Sequence, residues 1–403
     1  MRFLVLGSGA QGSIIAGHLV KEDDVDAVIC ADISQSAAEG LVKKLRSPKA
    51  RALKVDAGKA EEVAKAAEGV DVVVNATIPK FNFTIMEACL KAGANYMDLA
   101  AGPIGRRLAV ELLDEQLKLN DLWKDAGLTA LVSTGASPGL TSVLARHAAD
   151  QLTTVESVKI RFGDRTVSEE LVIDWSPRVM LEELFLVPPV VYQDGEIRRL
   201  PLFSGAEVYP FPEPIGPQKV FLVEHEEVLS IPRFIGKGIR YVDVKGSLMG
   251  DIEPVRTFFI WLSQVLDKPV NIKGVNITLE EVLLSLMPEP TDLRSLYEKG
   301  LIKDAYSTMI IEVEGKKGKR KVKQTFQVTL SLSQALSLMP WSNEVSYVTG
   351  TPAAVMALML GRGQVKLKGV ITTELLDPEP VIRGVVERGI PILFRVEEEG
   401  EMP

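Results

Sequence analysis

Three glycines near the start of the chain have the spacing of a dinucleotide-binding turn. Gly7, Gly9 and Gly12 form the pattern G-x-G-x-x-G between the strand-like segment RFLVLG and the helix-like segment GSIIAGHLVKE. In such a turn the first glycine permits the bend, the second lets a diphosphate approach, and the third lets the helix pack closely. The N–H groups at the helix start then attract phosphates. This pattern predicts a dinucleotide cofactor site.

An acidic residue, Asp32, ends the second predicted strand 20 residues after Gly12. A carboxylate at this position accepts hydrogen bonds from both hydroxyls of the adenosine ribose. It would repel the 2′-phosphate of NADP unless an arginine lay beside it, and the segment ADISQS contains no arginine. The predicted cofactor is therefore NAD.

The ends of later strands extend this predicted cofactor site. Ligands of such sheets bind in the crevice at the carboxyl ends of the strands. Asp56 ends the third strand, where the adenine would lie, and Asn75 ends the fourth, beside the nicotinamide ribose. With their neighbours, the predicted cofactor-binding residues are Gly7, Gly9, Ala10, Gln11, Gly12, Asp32, Ile33, Asp56, Ala57, Asn75, Ala76 and Thr77.

Strands and helices alternate through roughly the first 130 residues. Six apolar segments predict strands, and the segments between them have helical spacing of apolar residues. The last of these helices is predicted over residues 110–127. The strand segments are RFLVLG, AVICAD, ARALKVDAG, DVVVNAT, NYMDLA and TALVSTG. This order predicts an α/β fold, a doubly wound parallel sheet of the Rossmann type.

Beyond Pro138 the pattern changes to hairpins and mixed elements, which predicts a second, α+β domain. One hairpin is predicted to turn on Asp194 and Gly195, and a longer one across residues 316–321. Helices are predicted for EPVRTFFIWLSQVLD and LEEVLLSLMP, and a strand for KGIRYVDVKGSL. The tail, with the terminal strand PILFRVEE, is expected to return to the first domain. The predicted domains are 1–135, 136–345 and 346–403.

The composition restricts the classes of function. The 403-residue chain has a formal net charge of −8, which argues against a general nucleic-acid binder. Its two cysteines, Cys30 and Cys89, and its three histidines lack zinc-site spacing, so no metal is expected. No apolar run reaches the roughly 18 residues of a membrane span, and no signal peptide precedes the first strand. A cytoplasmic enzyme that does not bind membranes is expected.

The order of several motifs resembles the saccharopine dehydrogenase family. The motifs are LVLGSGAQG, ICADIS, KVDAG, VVVNATIP, NYMDLA, STGASPG, DWSP, VEHEEVLSIPRFI and GRGQVKLKGVITTE. The length resembles that of lysine 6-dehydrogenases within the family. The resemblance implies a mixed-sheet substrate and dimerisation domain, NAD(P)-linked oxidation at a C–N bond of an amino acid, and a homodimer.

The turn at Pro138 and Gly139 is where the sequence departs from the family. Many members have Asp-Pro-Gly where this chain has Ser137, Pro138 and Gly139, so an aspartate role is not expected here. The resemblance still places Pro138 and Gly139 against the nicotinamide, because these two residues keep the backbone shape of the turn.

Oxidation of an amine requires a group that accepts and returns a proton near pH 7. His225 is the strongest candidate base, since it lies among Glu224, Glu226 and Glu227, which could orient it or raise its pKa. Asp98, at the end of the fifth strand, is the second catalytic candidate, with capping of the following loop as its alternative role.

Candidate substrate contacts follow from the substrate carboxylate, which needs cationic donors. Arg233 is the favoured contact, followed by Arg178 and Lys245. Each of them could instead be an ordinary surface cation, which is the usual role of a single arginine or lysine. Trp175 could form an apolar wall of the pocket, and burial in the core is its alternative. The basic run over residues 315–323 is predicted to be a solvated hairpin tip.

The leading functional hypothesis is NAD-dependent oxidation of lysine at its 6-amino group, or of saccharopine. A carboxynorspermidine-type dehydrogenase and a non-catalytic NAD-binding regulator remain as alternatives. A dehydrogenase of small hydroxy or semialdehyde substrates is less favoured, because Cys89 lies within a helix and not at a strand-to-helix junction.

Overall fold

The structure is a computed structural model that describes residues 1–247, 255–288 and 293–399. It divides into two compact units. Unit one comprises residues 1–101, 111–144 and 335–390, and unit two comprises residues 102–110, 145–334 and 391–403. The start of the helix predicted from Glu253 and the end of the strand predicted to Leu248 lie outside the described residues.

The elements alternate early in the chain and become strand-rich later. The strands are β1 (Arg2–Leu6), β2 (Ala27–Asp32), β3 (Ala50–Lys54), β4 (Val72–Asn75), β5 (Asn95–Asp98), β6 (Thr129–Val132), β7 (Thr154–Ser168), β8 (Val190–Gln193), β9 (Glu196–Arg199), β10 (Glu207–Pro210), β11 (Pro217–Leu222), β12 (Tyr241–Ser247), β13 (Val270–Ile272), β14 (Val275–Ile277), β15 (Ile302–Lys317), β16 (Arg320–Ser331), β17 (Gly369–Thr372) and β18 (Ile392–Glu399). The helices are α1 (Ala10–Leu19), α2 (Gln35–Leu45), α3 (Ala60–Ala66), α4 (Asn82–Ala92), α5 (Ala109–Leu117), α6 (Asn120–Asp125), α7 (Leu140–Asp150), α8 (Pro177–Leu181), α9 (Glu227–Ile235), α10 (Arg256–Val265), α11 (Leu279–Leu286), α12 (Leu293–Glu298), α13 (Leu332–Leu338), α14 (Glu344–Gly361) and α15 (Pro378–Glu387). A π-helical turn, Glu182–Leu186, follows α8.

Unit one is built on a parallel sheet with the strand order β17-β6-β5-β4-β1-β2-β3. Its central strands β1 and β4 are buried along almost their whole length, which explains their continuous apolar sequences. The predicted Rossmann sheet is therefore confirmed, and β17 adds a strand beside β6. The strand order reverses at β1, so the ligand crevice lies at the carboxyl ends of β1 and its neighbours.

The helix predicted over residues 110–127 is two helices in the structure. α5 ends at Leu117 and α6 begins at Asn120. Leu117 and Trp123 are both buried. Six residues turn by about 240° in one continuous helix, so the break allows both side chains to reach the core.

Unit two contains a mixed sheet with the order β10-β11-β12-β7-β15-β16-β18, and β8 pairs with both β12 and β9. The pair β12 and β7 is parallel, and the other pairs are antiparallel. The second α+β domain with a mixed sheet is therefore confirmed. Among the helices that the structure describes, none is both long and apolar enough to cross a bilayer.

Both predicted hairpins are present. Between β8 and β9, Asp194 and Gly195 have φ values of 49° and 98°, the left-handed conformation that a two-residue turn of this kind requires. The long hairpin is tighter than predicted, because β15 extends to Lys317 and β16 begins at Arg320. Gly318 occupies the turn with a φ of 64°.

The terminal strand does not follow the path predicted for the tail. Residues 346–403 were expected to return to the first domain, and β17 does pair with β6 of unit one. β18, however, pairs with β16 in the mixed sheet of unit two. Phe394 stacks on Phe326 of β16, and Arg320 pairs with Glu398. These cross-strand contacts explain the change of path, since they give β18 apolar and charged partners on β16.

A buried ion pair joins β7 and β12 in the centre of the mixed sheet. Arg161 donates from Nη1 and Nη2 to the two carboxylate oxygens of Asp243, at 2.7 and 3.1 Å. Arg161 also donates from Nε to Glu207, and Tyr241 donates its hydroxyl proton to Asp243. Both members of the pair are almost completely buried, so each depends on the other for its charge to be compensated.

Replacing Asp243 by alanine should strongly destabilise the protein. The change leaves the guanidinium of Arg161 buried without its bidentate partner, a loss of about 3–5 kcal/mol in the free energy of unfolding. Arg240→Ala is the matched control, because it breaks the exposed pair with Asp194 and should leave the unfolding midpoint close to wild type. Urea unfolding followed by circular dichroism measures the midpoint of each variant. Equal midpoints for the two variants would contradict the stabilising role of the pair between Arg161 and Asp243.

Candidate active site

The glycine turn of unit one has the geometry of a diphosphate cradle. Gly7 has a φ of 96°, and a Cβ there would lie 2.6 Å from the carbonyl oxygen of Ala76. A Cβ on Gly12 would overlap the carbonyl oxygen of Gly7. At Gly9, in contrast, a Cβ would meet no protein atom within 4 Å. The protein's own packing requires the first and third glycines, while the space beside the second is open, as close approach of a ligand requires.

The start of α1 has features that suit an anionic ligand. Gly9 is the N-cap residue and provides no side-chain acceptor, and the first turn contains no acidic residue. The N–H groups of Ala10 and Gln11 therefore lie at a helix start whose own first turn carries no negative charge. These residues fit the diphosphate of a dinucleotide.

Asp32 is fixed beside this turn by two backbone donors. Its Oδ2 atom accepts from the N–H of Ser8 at 2.8 Å, and its Oδ1 atom accepts from the N–H of Ser34 at 2.9 Å. The next residue, Ile33, has 64% of its surface exposed and offers an apolar surface beside the carboxylate. A fixed carboxylate and an exposed apolar side chain are therefore adjacent at the end of β2, and their contacts with a ribose and an adenine stay predictions.

The other predicted cofactor residues lie in ordered turns at strand ends. Asp56 accepts from the N–H of Gly58, which forms the turn containing Ala57. Asn75 is buried, and its Oδ1 accepts from the backbone N–H and the hydroxyl of Thr77 at 3.0 and 2.6 Å. The N–H of Ala76 donates to Leu6, which ties the ends of β4 and β1 together.

The turn at Pro138 and Gly139 is tightly closed. Gly139 has a φ of 130°, and a Cβ there would overlap the carbonyl oxygen of Gly135. The hydroxyl of Thr373 is 3.4 Å from the carbonyl oxygen of Gly139, to which it donates. Contact of Pro138 and Gly139 with a nicotinamide stays a prediction.

Asp98 is a buried acceptor at the end of β5. Its carboxylate accepts hydrogen bonds from the N–H of Ser133, the amide of Gln116 and the hydroxyl of Tyr96. Burial raises the pKa of Asp98 to about 6, although these three donors oppose the rise. Ser133 has a φ of 62°, so Asp98 holds a residue in a strained conformation. This arrangement suits a carboxylate that positions the turn at Ser133. A catalytic role for Asp98 stays a prediction.

In unit two, His225 lies between two glutamates. Its Nδ1 atom is 3.1 Å from an oxygen of Glu227, and its Nε2 atom is 3.3 Å from an oxygen of Glu183. The ring packs 5.5 Å from the ring of Phe162, and only 13% of the side chain is exposed. Burial alone would lower the pKa of His225, but the charges of Glu227 and Glu183 raise it well above its usual value. The two glutamates therefore favour the protonated, imidazolium form of His225.

A third carboxylate, Glu224, lies next to this group. It accepts from the backbone N–H groups of Ala109 and Val110 at 2.9 and 3.0 Å. Burial raises the pKa of Glu224 to about 7, and the two N–H donors act in the opposite direction. Glu183 and Glu224 line a cavity of about 10 Å³, the space of roughly one water molecule, whose other lining residues are apolar and include Leu202, Phe203, Leu222 and Val187. Two carboxylates and a hydrocarbon surface are therefore adjacent at this place.

The sequence placed Glu224 and Glu227 beside His225, and both contribute to this group. It missed Glu183, which is 42 residues earlier in the chain and lies in the π-helical turn. No spacing in the sequence connects it with His225. A π-helical turn often marks a functional site, but it is not visible in the amino-acid pattern.

The predicted substrate cations already have partners within unit two. Lys245 lies 3.2 Å from Glu207 and is nearly buried. Arg178 donates to Glu280 at 2.8 Å, and the guanidinium of the exposed Arg233 lies 5.6 Å from the ring of Phe234. Lys245 and Arg178 are thus each bound to a glutamate of the same unit. The roles of all three cations in substrate binding stay predictions.

The remaining residues singled out in the sequence are packed against their neighbours. Trp175 is half-buried against the cluster that contains Ile173 and Leu266, and its role as a wall of the substrate pocket stays a prediction. His18 is buried against Thr351, and burial together with the charge of Arg388 lowers the pKa of His18 to about 3. Both cysteines are buried as free thiols. Within the described residues, no three histidine, cysteine or acidic side chains gather as possible metal ligands.

Comparison with known families identifies the relationship. Residues 3–131 match the model of the saccharopine dehydrogenase NADP binding domain. Residues 135–390 match the model of the saccharopine dehydrogenase C-terminal domain. The chain belongs to the saccharopine dehydrogenase family. It is therefore a member of an oxidoreductase family, and its first unit is an NAD(P)-binding domain.

Two relatives match this chain over nearly its full length. The carboxynorspermidine synthase of Vibrio cholerae is 27% identical over 419 residues, covering 97% of this chain and 96% of the relative. The carboxyaminopropylagmatine dehydrogenase of Synechocystis sp. is 25% identical over 397 residues, with the same coverage.

Two solved structures share the fold. Saccharopine dehydrogenase (L-Glu forming) from Saccharomyces cerevisiae has a TM-score of 0.68 at 16% identity, covering 98% of this chain and 99% of that one. The homospermidine synthase of Legionella pneumophila, solved with NAD, has a TM-score of 0.67 at 17% identity, covering 98% and 91%. At these identities the likeness concerns the fold.

Asp32→Ala should weaken NAD binding roughly 10- to 100-fold, because the carboxylate is the charged acceptor placed for the ribose. It should also reduce the preference for NAD over NADP. Lys54 is paired with Asp32 in the register of β2 and β3. Without the carboxylate of Asp32, the positive charge of Lys54 would favour the 2′-phosphate of NADP. Fluorescence titration with both cofactors measures the ratio.

Ser34→Ala is the matched control for damage to the turn. It removes the side-chain cap on the N–H of Ala37 but keeps the carboxylate of Asp32. The control should retain the cofactor preference. An unchanged NAD-to-NADP ratio in Asp32→Ala would remove the ribose assignment.

Proposed function

We propose that the protein is an NAD(P)-dependent oxidoreductase that forms or cleaves the secondary amine of a carboxylated polyamine. In the forming direction, an amino acid semialdehyde condenses with a primary diamine and the product is reduced. The names of the two full-length relatives support this reaction class. They favour the carboxynorspermidine-type alternative over the oxidation of lysine or saccharopine.

The acidic surroundings of His225 carry the proposal. Polyamines are cationic along a hydrocarbon chain, so a suitable site combines carboxylates with apolar walls. Glu183 and Glu224 supply the carboxylates, and the neighbouring Leu202 and Phe203 supply apolar surface. The space between these side chains is about 10 Å³, so they have to move apart to admit an amine chain.

Saccharopine has more carboxylates than the single one of an amino acid semialdehyde, and would therefore require more cationic groups. The candidate cations Lys245 and Arg178 are paired with glutamates elsewhere in unit two.

His225 has the charge that the forming direction requires. Condensation of an aldehyde with an amine expels water, and the departing hydroxyl leaves more readily when an acid protonates it. As an imidazolium, His225 can donate this proton. The Nε2 side is the donor side, because Glu183 lines the cavity while Glu227 is fully buried. His225 is thus proposed as an acid in synthesis and as the matching base in the reverse direction.

The nicotinamide, when bound, supplies the hydride that reduces the C=N bond. The balance is one aldehyde, one primary amine, one NAD(P)H and one proton, giving one secondary amine, one water and one NAD(P)⁺. The family model is described as NADP-binding, but the carboxylate of Asp32 favours NAD as the cofactor of this chain.

A turnover panel tests the reaction class. The protein is mixed with NADH or NADPH, an amino acid semialdehyde, and diaminopropane, putrescine or agmatine. Loss of the reduced nicotinamide absorbance should require both the aldehyde and one of the amines. Mass spectrometry should detect the reduced condensation product.

Two results would contradict the proposal. Reduction of NAD by lysine, without any condensation activity, would restore the lysine hypothesis. Tight NAD binding with no turnover on any substrate of the panel would indicate a regulator.

Glu183→Gln should change both the pH profile and the binding of the amine. Removing one of the two anions beside His225 lowers the pKa of the imidazolium, so the alkaline limb of kcat/KM should move to lower pH. Loss of the carboxylate from the cavity should raise the KM of the diamine by about tenfold. Initial rates across a pH series measure both effects.

Glu196→Gln is the control, because Glu196 lies exposed on β9. It should reproduce the wild-type profile. An alkaline limb that does not move in Glu183→Gln would disprove the role of this glutamate.

A further inference from the structure

A chain of hydrogen-bonded polar side chains joins the carboxyl ends of β4 and β5 in unit one. It begins at Thr77 and continues through Asn75 and Tyr96 to Asp98. The last three side chains are at most 1% exposed, whereas Thr77 is half-buried. Buried polar groups that are fully hydrogen-bonded hold one arrangement, so this chain connects the partly open Thr77 to a fixed carboxylate.

The amide of Asn75 is satisfied by the protein itself. Its Oδ1 atom accepts from the N–H and the hydroxyl of Thr77 at 3.0 and 2.6 Å. Its Nδ2 group donates to the side-chain oxygen of Asn82 at 2.8 Å and to the hydroxyl oxygen of Tyr96 at 3.3 Å. These four bonds use both hydrogens and both lone pairs of the amide. A role of the Asn75 side chain in the cofactor site therefore has to act through Thr77.

The hydrogen bonds of this chain all point toward Asp98. Tyr96 accepts from Asn75 and donates its own hydroxyl proton to Oδ2 of Asp98 at 3.0 Å. Asp98 also accepts from the side-chain amide of Gln116 and from the N–H of Ser133. Burial raises the pKa of Asp98 to about 6, so at pH 8 the carboxylate is ionised and can only accept. The direction of the chain is thereby fixed.

The hydroxyl group of Thr77 has one proton, and the protein surrounds it with acceptors. Its Oγ1 atom lies 2.6 Å from Oδ1 of Asn75 and 3.4 Å from the carbonyl oxygen of Ile78. Neither of these oxygens carries a proton, so Thr77 must be the donor to them. Toward a ligand, Oγ1 can therefore act only as an acceptor.

Thr77 lies beside the glycine turn. A Cβ on Gly7 would be 3.1 Å from the backbone nitrogen of Thr77, and the N–H of Ala76 donates to the carbonyl oxygen of Leu6. Ligands of a doubly wound sheet bind at the carboxyl ends of the strands around this point. With the adenosine expected beside Asp32 on β2, the nicotinamide half of a dinucleotide extends toward β4.

We propose that Asn75, Tyr96 and Asp98 are positioning residues of the cofactor site. They hold Thr77 as the acceptor for a hydrogen-bond donor on the nicotinamide half of the dinucleotide. The donors of that half are the carboxamide N–H group and the ribose hydroxyls. A bond from one of them orients the ring that carries the hydride. The inference depends on the NAD(P)-binding domain and not on the reaction proposed above.

Titration calorimetry with NAD and with ADP at pH 8 tests the role of Thr77. Thr77→Val removes the acceptor oxygen at nearly constant side-chain size. It should weaken NAD binding by about 3- to 10-fold, as the loss of one neutral hydrogen bond does. ADP lacks the nicotinamide half, so its affinity should stay at the wild-type value. Thr77→Ser keeps the hydroxyl and is the matched control, which should bind both ligands like wild type.

Two substitutions break the buried chain while they keep the shape of the side chain. Tyr96→Phe removes the hydroxyl that accepts from Asn75 and donates to Asp98. Asp98→Asn places an amide N–H opposite the oxygen of Tyr96, because the N–H of Ser133 requires the oxygen of the new amide. Each change should weaken NAD binding by about 2- to 5-fold at constant ADP affinity, since Asn75 then holds Thr77 less firmly.

A double-mutant cycle separates positioning from a general loss of structure. In the Thr77→Val background, neither Tyr96→Phe nor Asp98→Asn should weaken NAD binding further, because both act through the hydroxyl that valine lacks. Tyr347→Phe is the control for loss of a buried tyrosine hydroxyl, since Tyr347 donates to the carbonyl oxygen of Arg388 in the same unit. It should keep wild-type affinity for NAD and for ADP.

A loss of affinity that is confined to NAD in Thr77→Val and in both chain variants supports the proposal. Wild-type NAD binding by Thr77→Val overturns it. Equal losses of NAD and ADP affinity in Tyr96→Phe and Asp98→Asn also overturn it, because they indicate a structural role alone. So do chain substitutions whose effects add to that of Thr77→Val.

A cofactor analogue identifies the donor. In acetylpyridine adenine dinucleotide an acetyl group replaces the carboxamide, so the N–H donor is absent and the ribose hydroxyls remain. Thr77→Val should bind this analogue like wild type if the carboxamide is the donor, and more weakly than wild type if a ribose hydroxyl is. Both results support Thr77 as the acceptor when NAD binding is weakened. A variant with weakened binding of the analogue and unchanged binding of NAD would overturn that role.

Discussion

The attraction between His225 and its two glutamates determines the chemical character of the candidate active site. Burial by itself favours a neutral imidazole, as His18 illustrates in the same chain, where burial lowers the pKa to about 3. His225 is also largely buried, but Glu183 and Glu227 contact its two ring nitrogens and raise its pKa. The difference between these two histidines comes from their partners. A site with more carboxylates than cations is suited to an amine and disfavours a polyanion.

Family membership and local charge answer different questions about this protein. The family explains the dinucleotide fold and the hydride chemistry, which related enzymes share while acting on different amines. The substrate depends on the side chains in unit two. There, the glutamates beside His225 and the internal pairing of Lys245 are the basis on which a polyamine is proposed. The names of the full-length relatives agree with this interpretation, which rests on charges that the fold alone does not specify.

The sequence predicted best what is determined over short distances. The glycine turn, the apolar strands and Asp32 at the end of β2 depend on neighbouring residues, so their pattern is visible in the sequence. Glu183 was missed because only the folded chain brings it to His225. Lys245 and Arg178 were considered for a carboxylate because the sequence does not reveal that Glu207 and Glu280 bind them. The path of β18 depends on its partner strand β16, which lies far away in sequence.

The charge of His225 is the central claim, and nitrogen NMR of histidine-labelled protein measures it directly. The chain has three histidines, so the imidazole signals can be assigned with a His225→Gln variant. We predict that the two ring nitrogens of His225 both remain protonated through neutral pH while His18 remains neutral. A neutral His225 at pH 7, with one ring nitrogen unprotonated, would contradict the account of an acidic, amine-binding site.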